Sequence, residues 1–207
     1  MWIILGIIIN YFIGSIPTAY IFGRLLKGID IRQYGSGNVG ATNALRVLGK
    51  GIGITVLAID IVKGFLPLLL WGDFFAARTP VNPEIVYIIL GVSCICGHNW
   101  TIFLNFKGGK GIATTLGMLL AMAVKIPGLG LVIGLVLIIW VITFMISRIV
   151  SLSSIVAAVT LPLFMIIFRQ SLILIIASLL LSCFTIYRHK SNIQRLRQGK
   201  ESTIRFK

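Results

Sequence analysis

Seven mostly apolar blocks, each close to the length that crosses a bilayer, constrain this chain more than any other feature. They run roughly over residues 1–24, 52–71, 85–104, 111–127, 129–147, 150–168 and 170–188. About 20 residues of helix span a hydrocarbon core. Lipid offers no partner for a bare N–H or C=O, so blocks of this kind must be helices. Hydrophobic residues make up 57% of the 207 and charged ones only 12%, where soluble domains carry roughly a quarter charged. The predicted fold class is all-α, a polytopic membrane helix bundle of about seven transmembrane helices. The length fits a single domain over 1–207, with no second domain or long linker.

The net charge of +14, from 19 Lys and Arg against 5 Asp and Glu, sits in the loops and the tail. In that setting it points to topology and to anionic ligands or membrane lipids, and no nucleic acid partner is expected. Placed alternately, the loops sort the cations fifteen to three. Arg24, Lys27, Arg32, Arg46 and Lys50, then Lys107 and Lys110, Arg148, and the tail from Arg188 to Lys207 fall on one side; Arg78, Lys125 and Arg169 fall on the other. Positive loops stay cytoplasmic. The N-terminus is therefore expected outside and the C-terminus inside, with an odd number of spans. Residues 1–24 lack a basic start and give no sign of a cleavable leader. Cys94, Cys96 and Cys183 lie within apolar blocks and read as packing residues.

The polar motifs all fall on the cytoplasmic side of this arrangement. Gly35-Ser36-Gly37-Asn38-Val39-Gly40-Ala41-Thr42-Asn43, followed by Arg46, literally matches GxGxxG. The dinucleotide fingerprint also needs a strand and a βαβ unit, which a helical bundle excludes. What remains is local chemistry. Glycines let backbone N–H groups face an anion, and Ser36, Asn38, Thr42 and Asn43 add donors beside a cation. Lys107-Gly108-Gly109-Lys110-Gly111 opens a helix holding Thr114 and Thr115. It is not a Walker A loop, but two lysines among three glycines at a helix start form an anion cradle. The one-sidedness, and the lack of any internal repeat, argue against a transporter.

Other candidates carry two readings each. His98 is either a packing histidine or part of a site. His189, Asn192 and Arg195 share a face if the tail begins as a helix. Asp60 and Lys63 have the i, i+3 spacing of an ion pair and read as a lock on helix packing, although an intramembrane charge always raises the question of function. Gly130 and Gly134 form a GxxxG pattern, read as a helix contact. There is no GxSxG elbow, no Cys/His nucleophile pair and no His-x4-Asp box. With so few carboxylates, no metal site is expected.

At this point the motifs resemble a known family. The Gly35–Asn43 run with Arg46, Gly97-His98 followed by Phe106-Lys107-Gly108-Gly109-Lys110-Gly111-Ile112-Ala113-Thr114, and His189 with Asn192-Ile193, Arg195-Leu196, Gly199 and Glu201 are similar to those of the bacterial acyl-phosphate:glycerol-3-phosphate acyltransferases. The resemblance covers essentially the whole chain. It implies that a fatty acyl group passes from acyl phosphate to the sn-1 hydroxyl of glycerol 3-phosphate, giving lysophosphatidic acid and phosphate. It also implies that Ser36, Asn38, Thr42, Asn43, Arg46, Lys107, Lys110, Ser151, His189 and Asn192 line the site. Together with the motif chemistry, the expected catalytic residues are His189, Ser36 and Lys107, and those expected around the phosphates are Gly37, Asn38, Thr42, Asn43, Arg46, Lys107, Gly108, Gly109, Lys110, Thr114, Ser151, Asn192 and Arg195, with His98 as a further candidate. No cofactor is implied. The partners are the two substrates, membrane lipids and, functionally, the enzyme that makes acyl phosphate. The expected location is the bacterial cytoplasmic (inner) membrane, with the site on its cytoplasmic face.

The residues suit that chemistry on their own terms. Both substrates carry phosphates, which accounts for two glycine–lysine loops and Arg46. Acyl phosphate is a mixed anhydride with a good leaving group, so proximity and charge stabilisation suffice without a protein nucleophile. The acceptor's proton goes to His189 or to a substrate phosphate oxygen; the sequence leaves both open. A non-catalytic membrane carrier of organic phosphates is the alternative from a different class. It would place ligand-reactive residues on the outer half, where only Asp60 and Lys63 break the apolar pattern.

Overall fold

The computed structural model describes residues 1–204; Arg205, Phe206 and Lys207, two of them among the tail cations, lie outside the described residues. The described chain is helical, with no strand, and divides into two compact units, Met1–Met122 and Ala123–Lys207. Helices occupy all seven apolar blocks. Length and composition qualify Trp2–Lys27, Lys50–Ala76, Pro83–Leu104, Leu129–Ser147 and Val150–Ile167 as spans, and a sixth if the bent pair at the C-terminal end counts as one.

The first unit begins with α1 (Trp2–Ser15) and α2 (Thr18–Lys27), separated at Pro17. Proline lacks an N–H and pushes its predecessor toward extended backbone, and Ile16 obeys with ψ 112°. Gly28, at φ 65°, ends α2 in the left-handed conformation. A short 3₁₀ turn, Ile31–Gln33, leads to α3 (Ala41–Leu48) and then α4 (Lys50–Ala76). α5 (Pro83–Asn99) and α6 (Ile112–Lys125) follow. α6 has 14 residues and is about 21 Å long, short of a full hydrocarbon core.

Close helix contacts in this unit are made where glycine removes a side chain. A Cβ on Gly14 of α1 would meet the Cys94 carbonyl of α5, and one on Gly97 of α5 would meet the Tyr11 carbonyl of α1. α4 and α6 approach in the same way at Gly64 and Gly117. Small residues let membrane helices come together where hydrophobicity alone gives no drive.

The second unit contains α7 (Leu129–Ser147), α8 (Val150–Ile167), α9 (Leu172–Arg188) and α10 (Lys190–Arg197), with α10 turned 60° from α9. Arg148, at φ 57°, stops α7. The helix contact expected at the GxxxG pattern of α7 is not made within the described chain. Among the described residues, nothing lies within 4 Å of where a side chain on Gly130 or Gly134 would begin. The motif supplies small residues, but no helix of the described chain is seated on them.

Candidate active site

The loop after α2 is shaped by two asparagines and a buried carboxylate. Asp30 caps the 3₁₀ turn, and Arg32 grips it through Nε and Nη2, the latter at 2.7 Å. That hydrogen-bonded guanidinium holds the Asp30 carboxyl down at about 2. Gly35 and Gly37 have φ of 60° and 71°, a region glycine enters without steric cost. Asn43, on the first turn of α3, is buried, and its amide is committed to the loop. Its Oδ1 accepts from the Ser36 N–H at 2.9 Å, and its Nδ2 donates to the carbonyls of Tyr34 and Ile31. Asn38 Oδ1 accepts from the Gly40 N–H at 3.0 Å. Asn43 thus gives the loop its form, while Ser36, Gly37 and, a helical turn beyond Thr42, Arg46 are exposed.

The second loop is pinned to the end of α5. Gly108 donates its N–H to the Asn99 carbonyl at 3.1 Å and Gly109 to the His98 carbonyl at 3.0 Å. These two amides, on glycines expected around a phosphate, are spent on α5. The glycines are required by closeness, since a Cβ on Gly109 would run into His98 Nε2. Asn105 and Phe106 hold left-handed φ values of 52° and 59°, a strained arrangement for residues with side chains. For an anion the loop retains its ammonium groups: Lys107 is exposed and Lys110 half-buried. Thr114 is fully buried. Among the described residues, its hydroxyl and both polar atoms of the Asn99 amide have no hydrogen-bond partner.

Beneath these loops lies a buried polar group. Asp60 accepts from Lys63 Nζ at 2.8 Å and from Thr18 Oγ1 at 3.0 Å, and His98 Nδ1 lies 3.8 Å away. Lys63 also donates to the Ile16 carbonyl at 2.9 Å. The expected i, i+3 pair is present, and it is joined to more than α4.

In the second unit, His189 stands at the bend between α9 and α10, 3% exposed. Its Nδ1 lies 2.8 Å from the Thr185 carbonyl. A carbonyl only accepts, so Nδ1 carries the proton and, in the neutral ring, Nε2 carries the lone pair. The tail does begin as a helix, and Asn192 and Arg195 share a face of it. Both reach Glu201: Asn192 Nδ2 donates to Oε1 and Arg195 Nε to Oε2, each at 2.6 Å, while Ser151 Oγ donates to Oε1 at 2.8 Å. Burial pushes the Glu201 carboxyl up, but the bonds from Asn192, Ser151 and Arg195 outweigh it and hold it below the ordinary value.

A family model described as "Glycerol-3-phosphate acyltransferase" matches residues 4–199, through both glycine loops and His189. The chain belongs to the glycerol-3-phosphate acyltransferase family. It is 43% identical over 204 residues to a glycerol-3-phosphate acyltransferase of Thermoanaerobacter sp. (strain X514), covering 99% of this chain and 96% of that relative. With the Fusobacterium nucleatum protein of the same description it shares 41% over 203 residues, 97% of each chain. Two solved structures of PlsY (YgiH), an integral membrane glycerol 3-phosphate acyltransferase, also match at 34% identity. The glycerol 3-phosphate form gives a TM-score of 0.85 and covers 98% of this chain and 96% of that one. The lysophosphatidic acid form gives 0.82, with 98% and 95% covered.

For a member of this acyltransferase family, the two units divide the expected site residues between them. Ser36 to Arg46, His98 and Lys107 to Thr114 belong to the first unit; Ser151, His189, Asn192 and Arg195 belong to the second. Sequence reasoning gave no site role to Glu201, on which three of those residues converge. It also missed Asn43 as the strut of its own loop, and Asn99 and Thr18 altogether. The Glu201 signal was present in the chain's scarcity of carboxylates, since a rare acid within a basic tail is a natural hub.

Proposed function

We propose that this chain transfers a fatty acyl group from acyl phosphate to the sn-1 hydroxyl of glycerol 3-phosphate, producing lysophosphatidic acid and inorganic phosphate. The observation that carries this reading is the family match, which is continuous through both loops and His189. Further support comes from the PlsY (YgiH) structures, held in glycerol 3-phosphate and lysophosphatidic acid forms, the acceptor and product of such an acylation.

Arg46, Lys107 and Lys110 grip phosphate oxygens as charge-assisted donors. Ser36, Gly37, Asn38 and Thr42 contribute the smaller polar groups of that grip. The acceptor hydroxyl oxygen bonds to the acyl carbonyl carbon. The bond from that carbon to the bridging oxygen breaks, and phosphate leaves with the electron pair. The hydroxyl proton passes to a phosphate oxygen or to His189 Nε2. In the second unit, Ser151, Asn192 and Arg195 act through the order that Glu201 gives them. The transfer balances in atoms and charge with the two substrates alone.

The site lies on the cytoplasmic face of the bacterial cytoplasmic membrane, with the N-terminus outside and the tail inside. Seven crossings, with α6 as the short one, fit the fifteen-to-three distribution of cations. The whole of 1–207 acts as one catalytic domain, supplied by an enzyme that makes acyl phosphate. Incubating purified protein with labelled glycerol 3-phosphate and acyl phosphate tests the function. A label that moves into the lipid phase is the expected result, and a label that stays in water overturns it.

A further inference from the structure

We infer that Asp60 is a positioning residue for the acyl transfer: one buried carboxylate that sets both glycine loops, acting on the second through His98. This rests on the reading of those loops as the phosphate grip.

Asp60 is 1% exposed, inside a helix long and apolar enough to cross a membrane. An ionisable group there is costly. A buried ion pair is also weak evidence of stabilisation, since well-packed apolar residues in its place commonly leave a protein as stable or more so. A lock on helix packing therefore does not require these residues, and this unit already has close glycine contacts between α1 and α5 and between α4 and α6. What the pair has, and an apolar pair would lack, is directed hydrogen bonding to Thr18 and the Ile16 carbonyl at the root of the first loop, and a carboxylate oxygen 3.8 Å from His98 Nδ1 at the root of the second.

One line runs to the first loop. Thr18, which donates to Asp60, is the first residue of α2, and α2 leads through Gly28 and the Asp30–Arg32 turn to Ser36. Lys63, bound to the same carboxylate oxygen, donates to the Ile16 carbonyl at the Pro17 break. The carboxylate and its lysine thus fix the point from which α2 departs.

The other line runs to the second loop. His98 Nδ1 faces Asp60 at 3.8 Å. The opposite ring nitrogen abuts Gly109, so closely that no side chain fits there. The His98 and Asn99 carbonyls take the Gly109 and Gly108 amides. Asn105 and Phe106 stay in left-handed backbone, which persists only where the surroundings over-determine it. A buried ring with a carboxylate near one nitrogen and a glycine seated against the other are such surroundings. A loop displaced by about 1 Å moves Lys107 off its target, and an error of that size costs a reaction about a hundredfold.

The test compares Asp60→Leu/Lys63→Met, which removes both charges together, with His98→Gln and Thr18→Val. Each is purified in detergent and measured for Tm and for kcat and KM with glycerol 3-phosphate and acyl phosphate. The double variant is expected to keep its Tm within a few degrees while kcat/KM falls about a hundredfold. His98→Gln should fall similarly, and combining it with the double variant should add little, because the residues act along one chain. Wild-type kcat/KM in a folded double variant overturns the proposal, as does a fully additive loss on adding His98→Gln. If the double variant does not fold, the single variants decide: raised KM in Thr18→Val and His98→Gln sustains the proposal, and wild-type kinetics in both overturns it. Arg46→Ala and Lys107→Ala are measured alongside. Full activity in those two overturns the loop reading and this proposal with it. Loss there, with wild-type kinetics in the Asp60 series, overturns this proposal alone.

Discussion

Asn192 Nδ2 donates to Glu201 Oε1 at 2.6 Å, a bond from the first turns of α10 back to the chain just beyond that helix. Arg195 and Ser151 bind the same carboxylate. Glu201→Gln keeps the shape and removes the charge, so the loss should be about 1.5–3 kcal/mol, the range for a bond to a charged group, with Tm lower by about 3–12 °C. The pH dependence follows from a carboxyl held below its ordinary 4.5. Its stabilisation is fully present above that value and is lost as pH falls through the lowered one. Wild-type Tm should therefore drop below about pH 4.5 while the Gln variant changes less there. Parallel acid curves would show that the carboxylate contributes nothing to stability.

Gly109→Ala tests the seat of the second loop. A methyl group at that position would run into His98 Nε2, so either the ring or the loop must shift. Activity should fall by about a hundredfold, the cost of a misplacement near 1 Å, and the variant should remain extractable and folded. Thermal unfolding followed beside turnover checks this. Wild-type kcat/KM would mean that the loop tolerates displacement and that its glycines serve only the backbone turn.

Much of the architecture was legible because lipid enforces it. The α7 boundaries, Leu129–Ser147, were read to the residue, since Pro127-Gly128 and Ser147-Arg148 bound an unbroken apolar run. α3 escaped, being eight residues within polar sequence where no apolar stripe announces a helix, and α10, equally short, entered only as a condition for His189, Asn192 and Arg195 to share a face. The site was legible as a set of donors but not as a wiring diagram. Asn43 advertises an amide, and nothing in its neighbours says that the amide will be spent on Ser36, Tyr34 and Ile31. Gly108 and Gly109 were read as part of an anion cradle, and nothing in their neighbours says that their N–H groups go to the carbonyls of Asn99 and His98. Glu201 pairs with Ser151 across 50 positions, a distance over which periodicity carries no information.

Arg46→Ala and Lys107→Ala address the phosphate grip directly. Both side chains are on exposed residues, so neither substitution opens a cavity and the folded protein should extract normally. Each loses one charge-assisted contact, about 1.5–3 kcal/mol, or roughly ten- to a hundredfold in kcat/KM. Near-wild-type kcat/KM in both would leave the loops a topological role only.

Orientation is checked by cysteine accessibility at Ser202 and Thr79. The cation distribution puts Ser202 inside and Thr79 outside, so in sealed, intact cells an impermeant reagent should label a cysteine at 79 and not one at 202. Labelling at 202 from outside would reverse the topology and move the glycine loops to the wrong face of the membrane.

The acyl donor should be acyl phosphate, with turnover insensitive to chelator. The loops offer lysines beside glycines, a grip for a compact anion, and the chain of an acyl phosphate is at home among apolar helices. Its phosphate departs readily once the acceptor oxygen has attacked, so the barrier left to lower is one of alignment and charge. A thioester has a poorer leaving group and calls for a placed general base. It also brings a bulky carrier, for which the short segments between helices provide little docking surface. The decisive assay compares acyl phosphate, acyl-CoA and acyl carrier protein as donors, each with and without chelator. Acyl phosphate alone should support turnover. Comparable rates with acyl-CoA, or a chelator that abolishes activity, would sink the mechanism, since either would require a group that the loop chemistry does not supply.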